Sequence, residues 1–61
     1  MTLDQYKRKI DHEARYVDKR PYSHNIVSLL LNDVAKTFGK EAANNIIREC
    51  KLERKGWKEQ P

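Results

Sequence analysis

Ile26-Val27-Ser28-Leu29-Leu30-Leu31-Asn32-Asp33-Val34-Ala35-Lys36-Thr37-Phe38 is the stretch that decides the fold. Plotted at 100° per residue, Ile26, Leu30, Val34, Val27, Phe38, Leu31 and Ala35 fill nearly half the circumference of a helix, interrupted only by Thr37 at one margin. Leu29 falls outside the arc, beside Asp33 and Lys36. An apolar arc that wide needs more than one neighbour to cover it, so this segment reads as the central helix of a helical domain.

On the N-terminal side, Pro21 disfavours helical geometry at the residue before it and lacks a backbone donor. Ser23 then reads as an N-cap, with Tyr22 and Val27 spaced for a hydrophobic staple, which starts the central helix at about residue 24 and runs it to 38. Upstream, Thr2-Leu3-Asp4-Gln5 is a capping box. Leu3, Tyr6, Ile10, Ala14 and Val17 follow at steps of three and four, a narrow stripe predicting a first helix over 3–18. Asp4 with Arg8, Lys7 with Asp11, Lys9 with Glu13 and Asp11 with Arg15 stand at i,i+4 spacing with opposite charge, each contributing a few tenths of a kcal/mol at most.

On the C-terminal side, Gly39 suits the left-handed conformation common just past a helix end. Ala42, Ala43, Ile46, Ile47 and Cys50 form the stripe of a third helix over 40–51, with Glu41, Asn44, Asn45, Arg48 and Lys51 pointing away. Leu52 is off that stripe, so the helix ends or bends near Lys51. Gly56 offers a turn that folds Trp57 toward the core, and residues 58–61 are expected to fray. The reading is thus all-α: one small three-helix domain spanning 1–61, with a helical hairpin completed by dimerisation as the alternative.

A chain of 61 residues buries a core only marginally able to offset chain entropy. Its net charge is +4. Residues 1–20 carry six basic and four acidic side chains, 21–39 one of each, and 40–61 six and four, so the surplus is interleaved with acids rather than gathered on one face. Cys50 is the sole cysteine, which excludes an intramolecular disulfide and favours a reducing compartment, the cytoplasm by default. No secretory signal opens the sequence and no apolar run is long enough to span a bilayer, so a soluble protein without a membrane role is expected.

The sequence offers no catalytic residues, cofactor site, metal site or small-molecule substrate pocket. His12 and His24 lie on different segments without ligand-spaced partners. Ser23 beside His24 is better used as a cap than as a nucleophile. Cys50 lies among isoleucines, where a thiol behaves as a small hydrophobe. Gly39 and Gly56 stand alone, so no phosphate-cradling loop exists.

Binding is left, in two forms. The first is a protein-interaction or regulatory accessory module that self-associates as a homodimer or meets a protein partner. Its motive is the apolar surplus of the central helix, with Leu29, Tyr16 and Leu31 as the expected contact residues. The second is nucleic-acid regulation. Ala35 and Gly39 stand four apart across the second junction, and over about twenty residues this stretch resembles the helix-turn-helix family. The resemblance implies that Asn44, Asn45 and Arg48 meet base edges while Lys51 and Lys55 lie on phosphates. Lys40, Asn45 and Arg48 occupy positions where that family carries apolar residues.

Overall fold

The computed structural model describes residues 2–59, and among them three α-helices and a short 3-10 helix account for the regular structure: α1 Leu3–Ala14, α2 Pro21–Phe38, α3 Lys40–Glu49, and the 3-10 helix Leu52–Lys55. It is a small all-α domain. α1 and α3 both pack on α2, which is the central element.

The expected capping box opens α1: the Gln5 amide donates to Thr2 Oγ1 at 3.3 Å, and the Thr2 amide donates to Gln5 Oε1 at 2.9 Å. Two of the four i,i+4 pairs form, Asp4 with Arg8 and Asp11 with Arg15. Lys7 turns instead to Glu49, tying α1 to α3.

α1 stops at Ala14 rather than at 18. Residues 15–19 form successive turns, with the amides of Lys19 and Arg20 both donating to the Tyr16 carbonyl. α2 begins at Pro21, three residues before the expected start, because proline's fixed φ and missing donor suit the first helical position as well as they oppose an interior one. Arg20, held extended by the following proline at φ −127°, ψ 117°, is the N-cap. Ser23 is therefore not a cap. It lies inside α2, completely buried, and its hydroxyl donates to Glu13 Oε2 at 3.2 Å. The Tyr22–Val27 staple falls with it: Val27 is buried but Tyr22 is exposed.

One core serves the whole chain. Ile10 and Ala14 enter it from α1, Val27, Leu31 and Val34 from α2, and Ala43, Ile46 and Ile47 from α3, with Leu52 closing it. Because all three helices contribute, the chain closes a core of its own and the open hairpin is not adopted.

Two joints make that closure possible. Gly39 is at once the last cap of α2 and the first of α3, at φ 96°, ψ 159°. This is not the left-handed helical region expected but the mirror-extended one, which is essentially closed to any residue with a Cβ. The second joint is Lys51, a non-glycine residue at φ 55°. Its conformation costs roughly 1–2 kcal/mol. It turns the chain so that Leu52, which a continuing helix would carry off the apolar stripe, is completely buried, an offset of about 1.5–3 kcal/mol.

Gly39→Ala should destabilise the domain by about 1–3 kcal/mol through backbone strain alone, because the added Cβ would meet nothing within 4 Å. Gly39→Asn should give no relief, since asparagine tolerates the left-handed helical region and not this one. Urea unfolding followed by circular dichroism checks both. Leu52→Ala should cost about 2–5 kcal/mol, a large share of the roughly 3–9 kcal/mol expected for a domain of this size. An unchanged unfolding midpoint would contradict the role given to Leu52.

Candidate functional site

The core-facing line of α2 runs through Ser23, Val27, Leu31 and Val34. Rotating by 100° per residue places Tyr22, Leu29 and Asp33 on the far side of the helix, with Ile26 at the margin. The exposures agree: Leu29 is 67% exposed, Tyr22 56%, and Ile26 is half-buried. Tyr22, Ile26 and Leu29 stand at i, i+4 and i+7, so they form one apolar ridge on the outward face. Asn25, Asn32, Asp33 and Lys36 border it, all exposed. Asp33 accepts a hydrogen bond from the Tyr6 hydroxyl at 3.4 Å, and desolvation together with that carboxylate pushes the Tyr6 phenol up. The ridge thus has one exposed charge of each sign, Asp33 and Lys36, at its border.

The three expected contact residues part company. Leu29 is the most exposed large apolar side chain of the described residues. Leu31 is 7% exposed and its side chain is committed to the intrachain core, leaving little surface for a partner. Its position on the α2 helix four residues after Val27 explains this. Tyr16 is half-buried in the turn after α1, its ring covered by the Arg20 guanidinium at 4.6 Å and met edge-on by His12 at 5.3 Å. Phe38, placed by its periodicity in the covered arc, is 40% exposed, touching Tyr6 edge-on with centroids 6.0 Å apart.

The residues assigned to nucleic acid lie on α3 and the segment after it. Glu41 shares a shallow surface depression with Asn44, Asn45 and Arg48. Arg48 is already engaged. Its Nη2 and Nε donate to Glu59 at 2.6 and 3.4 Å, and its Nη1 donates to Asn45 Oδ1 at 3.3 Å. Lys55 is half-buried and pairs with Asp18 at 3.3 Å. Lys51 is exposed, but in the turn that follows α3. A phosphate reaching this surface would have to displace carboxylates. The α2–α3 joint is moreover a single residue, Gly39, where a helix-turn-helix has a turn of 3–4.

The structure also brings together a group that sequence reasoning left scattered. Trp57 is half-buried against the core, its indole stacked on the His24 ring at 4.3 Å and 22°, and its Nε1 donates to Ser28 Oγ at 3.1 Å. His24 and Ser28 sit one turn apart on α2. Glu59, expected in a frayed end, bonds Arg48 instead; Gln60 and Pro61 lie outside the described residues. Gly56 before Trp57 was the one signal available in the sequence, and nothing in it identified His24, Ser28 or Arg48 as the receivers.

Cys50 is half-buried at the end of α3. Burial and the Asp11 and Glu49 carboxylates push its thiol up against the opposing pull of Lys7, which disfavours the nucleophilic thiolate. Among the described residues no group of three or more His, Cys, Asp or Glu side chains converges to hold a metal ion, and no helix is long and apolar enough to cross a membrane. Compared with family models, curated proteins and solved structures, the chain has no significant match.

The hydrogen bond from Arg48 holds the Glu59 carboxyl below its ordinary range, desolvation opposing it in part. A carboxyl lowered on docking favours the docked state above its free pKa and loses that contribution as pH falls through its docked one. Acidifying below about pH 4 should therefore shift Trp57 fluorescence to longer wavelength as the segment loosens, with Arg48 and Glu53 the charged neighbours involved. Glu59→Gln should show the shift at neutral pH and little further change on acidification.

Proposed function

We propose that this protein is a non-enzymatic helical binding module that associates through the outward face of α2, in the first place with a second copy of itself. A regulatory accessory role in the cytoplasm fits such a module, its lone cysteine suiting a reducing compartment. The observation that carries the reading is Leu29, two-thirds exposed, with the exposed Tyr22 two turns away on the same outward face of α2. Covering a large apolar side chain is worth about 1.5–3 kcal/mol, and aromatic anchors are frequent at the centres of interfaces. Asp33 and Lys36 beside Leu29 carry opposite charges, so this face is close to neutral in sum, and a molecule of net charge +4 meets its copy there with less repulsion than elsewhere.

The ridge is small, so the association belongs to the weak, transient end of protein interfaces, below about 1,200 Å² in total. Tyr16, tied to Arg20 and His12, contributes at the edge if at all, and Leu31 is left out. The nucleic-acid reading has less support, because Glu41 and Glu59 lie among the basic and amide side chains it would use.

Sedimentation equilibrium decides the matter. The average mass should rise above the 7.3 kDa of one chain as concentration climbs toward about 1 mM, and Leu29→Asp should weaken the association about tenfold or more without lowering helicity. A chain that stays monomeric throughout that range refutes self-association. Leu29→Asp that associates as well as the parent removes the α2 ridge from it.

A further inference from the structure

We propose that the channel between α2 and α3 is a recognition site for a peptide segment in which an aromatic N–H donor is followed two residues later by a carboxylate. The chain's own Trp57-Lys58-Glu59 occupies it in cis.

Each part of the pattern has its receiver. The His24 ring supplies a flat face for the aromatic group at 4.3 Å, and Ser28, one turn further along α2, accepts from its N–H at 3.1 Å. Beyond the channel, on the exposed side of α3, Arg48 takes the carboxylate with two donors, the two-pronged geometry for which a guanidinium is suited. Asn45, one turn back on α3, accepts from the remaining Arg48 nitrogen at 3.3 Å and fixes the direction in which the fork points. The receivers come from two different helices that the core holds rigidly, whereas the occupant reaches them across Gly56 at φ +111° and has no regular secondary structure of its own.

The occupant also leaves the site incompletely filled. A pocket of about 160 Å³, open to solvent on one side, remains beside the indole, with Leu31, Ala43 and Ile47 as its apolar lining and Ser28, Asn32, Asn44 and Lys58 as its polar rim. Its volume is enough for one small apolar side chain laid against Leu31, Ala43 and Ile47. A partner segment with the same aromatic and acidic groups and one additional apolar side chain would make every contact the resident segment makes and fill this space. The resident segment competes with an effective concentration in the millimolar range, so it sets a threshold that an incoming segment must exceed. His24 and Ser28 lie on a different side of α2 from Leu29, with Asn32 between the two surfaces, and the proposal does not depend on the ridge.

Trp57 is the sole tryptophan, which makes a direct test possible. The full-length chain carrying Trp57→Ala has no indole, so the fluorescence of an added capped peptide, Lys-Gly-Trp-Lys-Glu-Gln-Pro, reports binding alone. Leu29→Asp in the same chain keeps self-association out of the readout. The peptide should show a saturable change with half-saturation on the order of 1 mM or below. Replacing its glutamate by glutamine, or Arg48 by alanine in the protein, should weaken binding at least threefold. The chain that retains Trp57 should bind at least threefold more weakly, its own segment being in the way; this is followed by shifts of its amide resonances. Should Trp57→Ala lose helicity, Glu59→Gln in the chain that keeps Trp57, which loosens the resident segment, takes its place, with binding followed by its amide resonances. The absence of saturable binding at several millimolar peptide by a folded variant overturns the proposal, as does equal binding of a scrambled peptide. Equal binding to the chains with and without Trp57 overturns occupation in cis. If only a second full-length chain, and no free peptide, can fill the vacated channel, the site serves exchange between copies and the peptide-recognition proposal is overturned.

Discussion

Val27, Leu31 and Val34 lie one behind another along α2, and the other elements are disposed so as to keep water from them. Covering that line takes two helices, one on each side, because neither α1 nor α3 carries more than a narrow apolar stripe. α1 gives Ile10 and Ala14 to the shared interior, and α3 gives Ala43, Ile46 and Ile47. Leu52 closes what the two stripes leave open. For a domain this small the margin is thin, and a single well-buried leucine is a large fraction of the whole.

The connections follow from that demand. α3 must turn back on α2 immediately, and Gly39 does this in one residue by taking a backbone geometry that only glycine tolerates. The chain must then bend again to bring Leu52 inward, and here a lysine takes the left-handed conformation because the burial that follows outweighs the strain. Between α1 and α2 the same requirement is met by Arg20 and Pro21, the one extended and the other locked into the first turn. Lys7 with Glu49 and Lys55 with Asp18 join parts of the surface that are distant in sequence, yet each pair is open to solvent on its acidic side and contributes far less than the apolar contacts beneath.

What the core leaves outside divides into two surfaces of different character. The outward side of α2 carries the exposed apolar side chains Leu29 and Tyr22 among amides and one charge of each sign, Asp33 and Lys36. The channel on the α3 side is polar and specific, with a ring face, a hydroxyl and a guanidinium in fixed positions and the chain's own tryptophan and glutamate laid across them. The first is suited to weak association by contact area, and the second to discrimination by hydrogen bonding. Glu41 and Glu59 lie among the basic and amide side chains of the α3 surface, so that surface is of mixed charge.

The sequence by itself determined the helices, their order, the central place of α2 and the outward position of Leu29, because all of these follow from a period of 3.6 residues and from local capping chemistry. It placed the end of α3 near Lys51, since Leu52 departs from the stripe, whereas the helix stops two residues earlier, at Glu49, and Lys51 makes the turn. It misplaced the start of α2, because Pro21 obeys two local rules at once and only the packing of Ser23 against Glu13 selects between them. Tertiary structure alone decided that Leu31 is spent on the interior, that Arg48 faces Glu59 rather than solvent, and that His24 and Ser28 receive Trp57. Those are meetings between residues 11 to 33 positions apart in the chain. Periodicity fixes the direction a side chain takes from its own helix, but which neighbour it finds there depends on how the helices are set against one another.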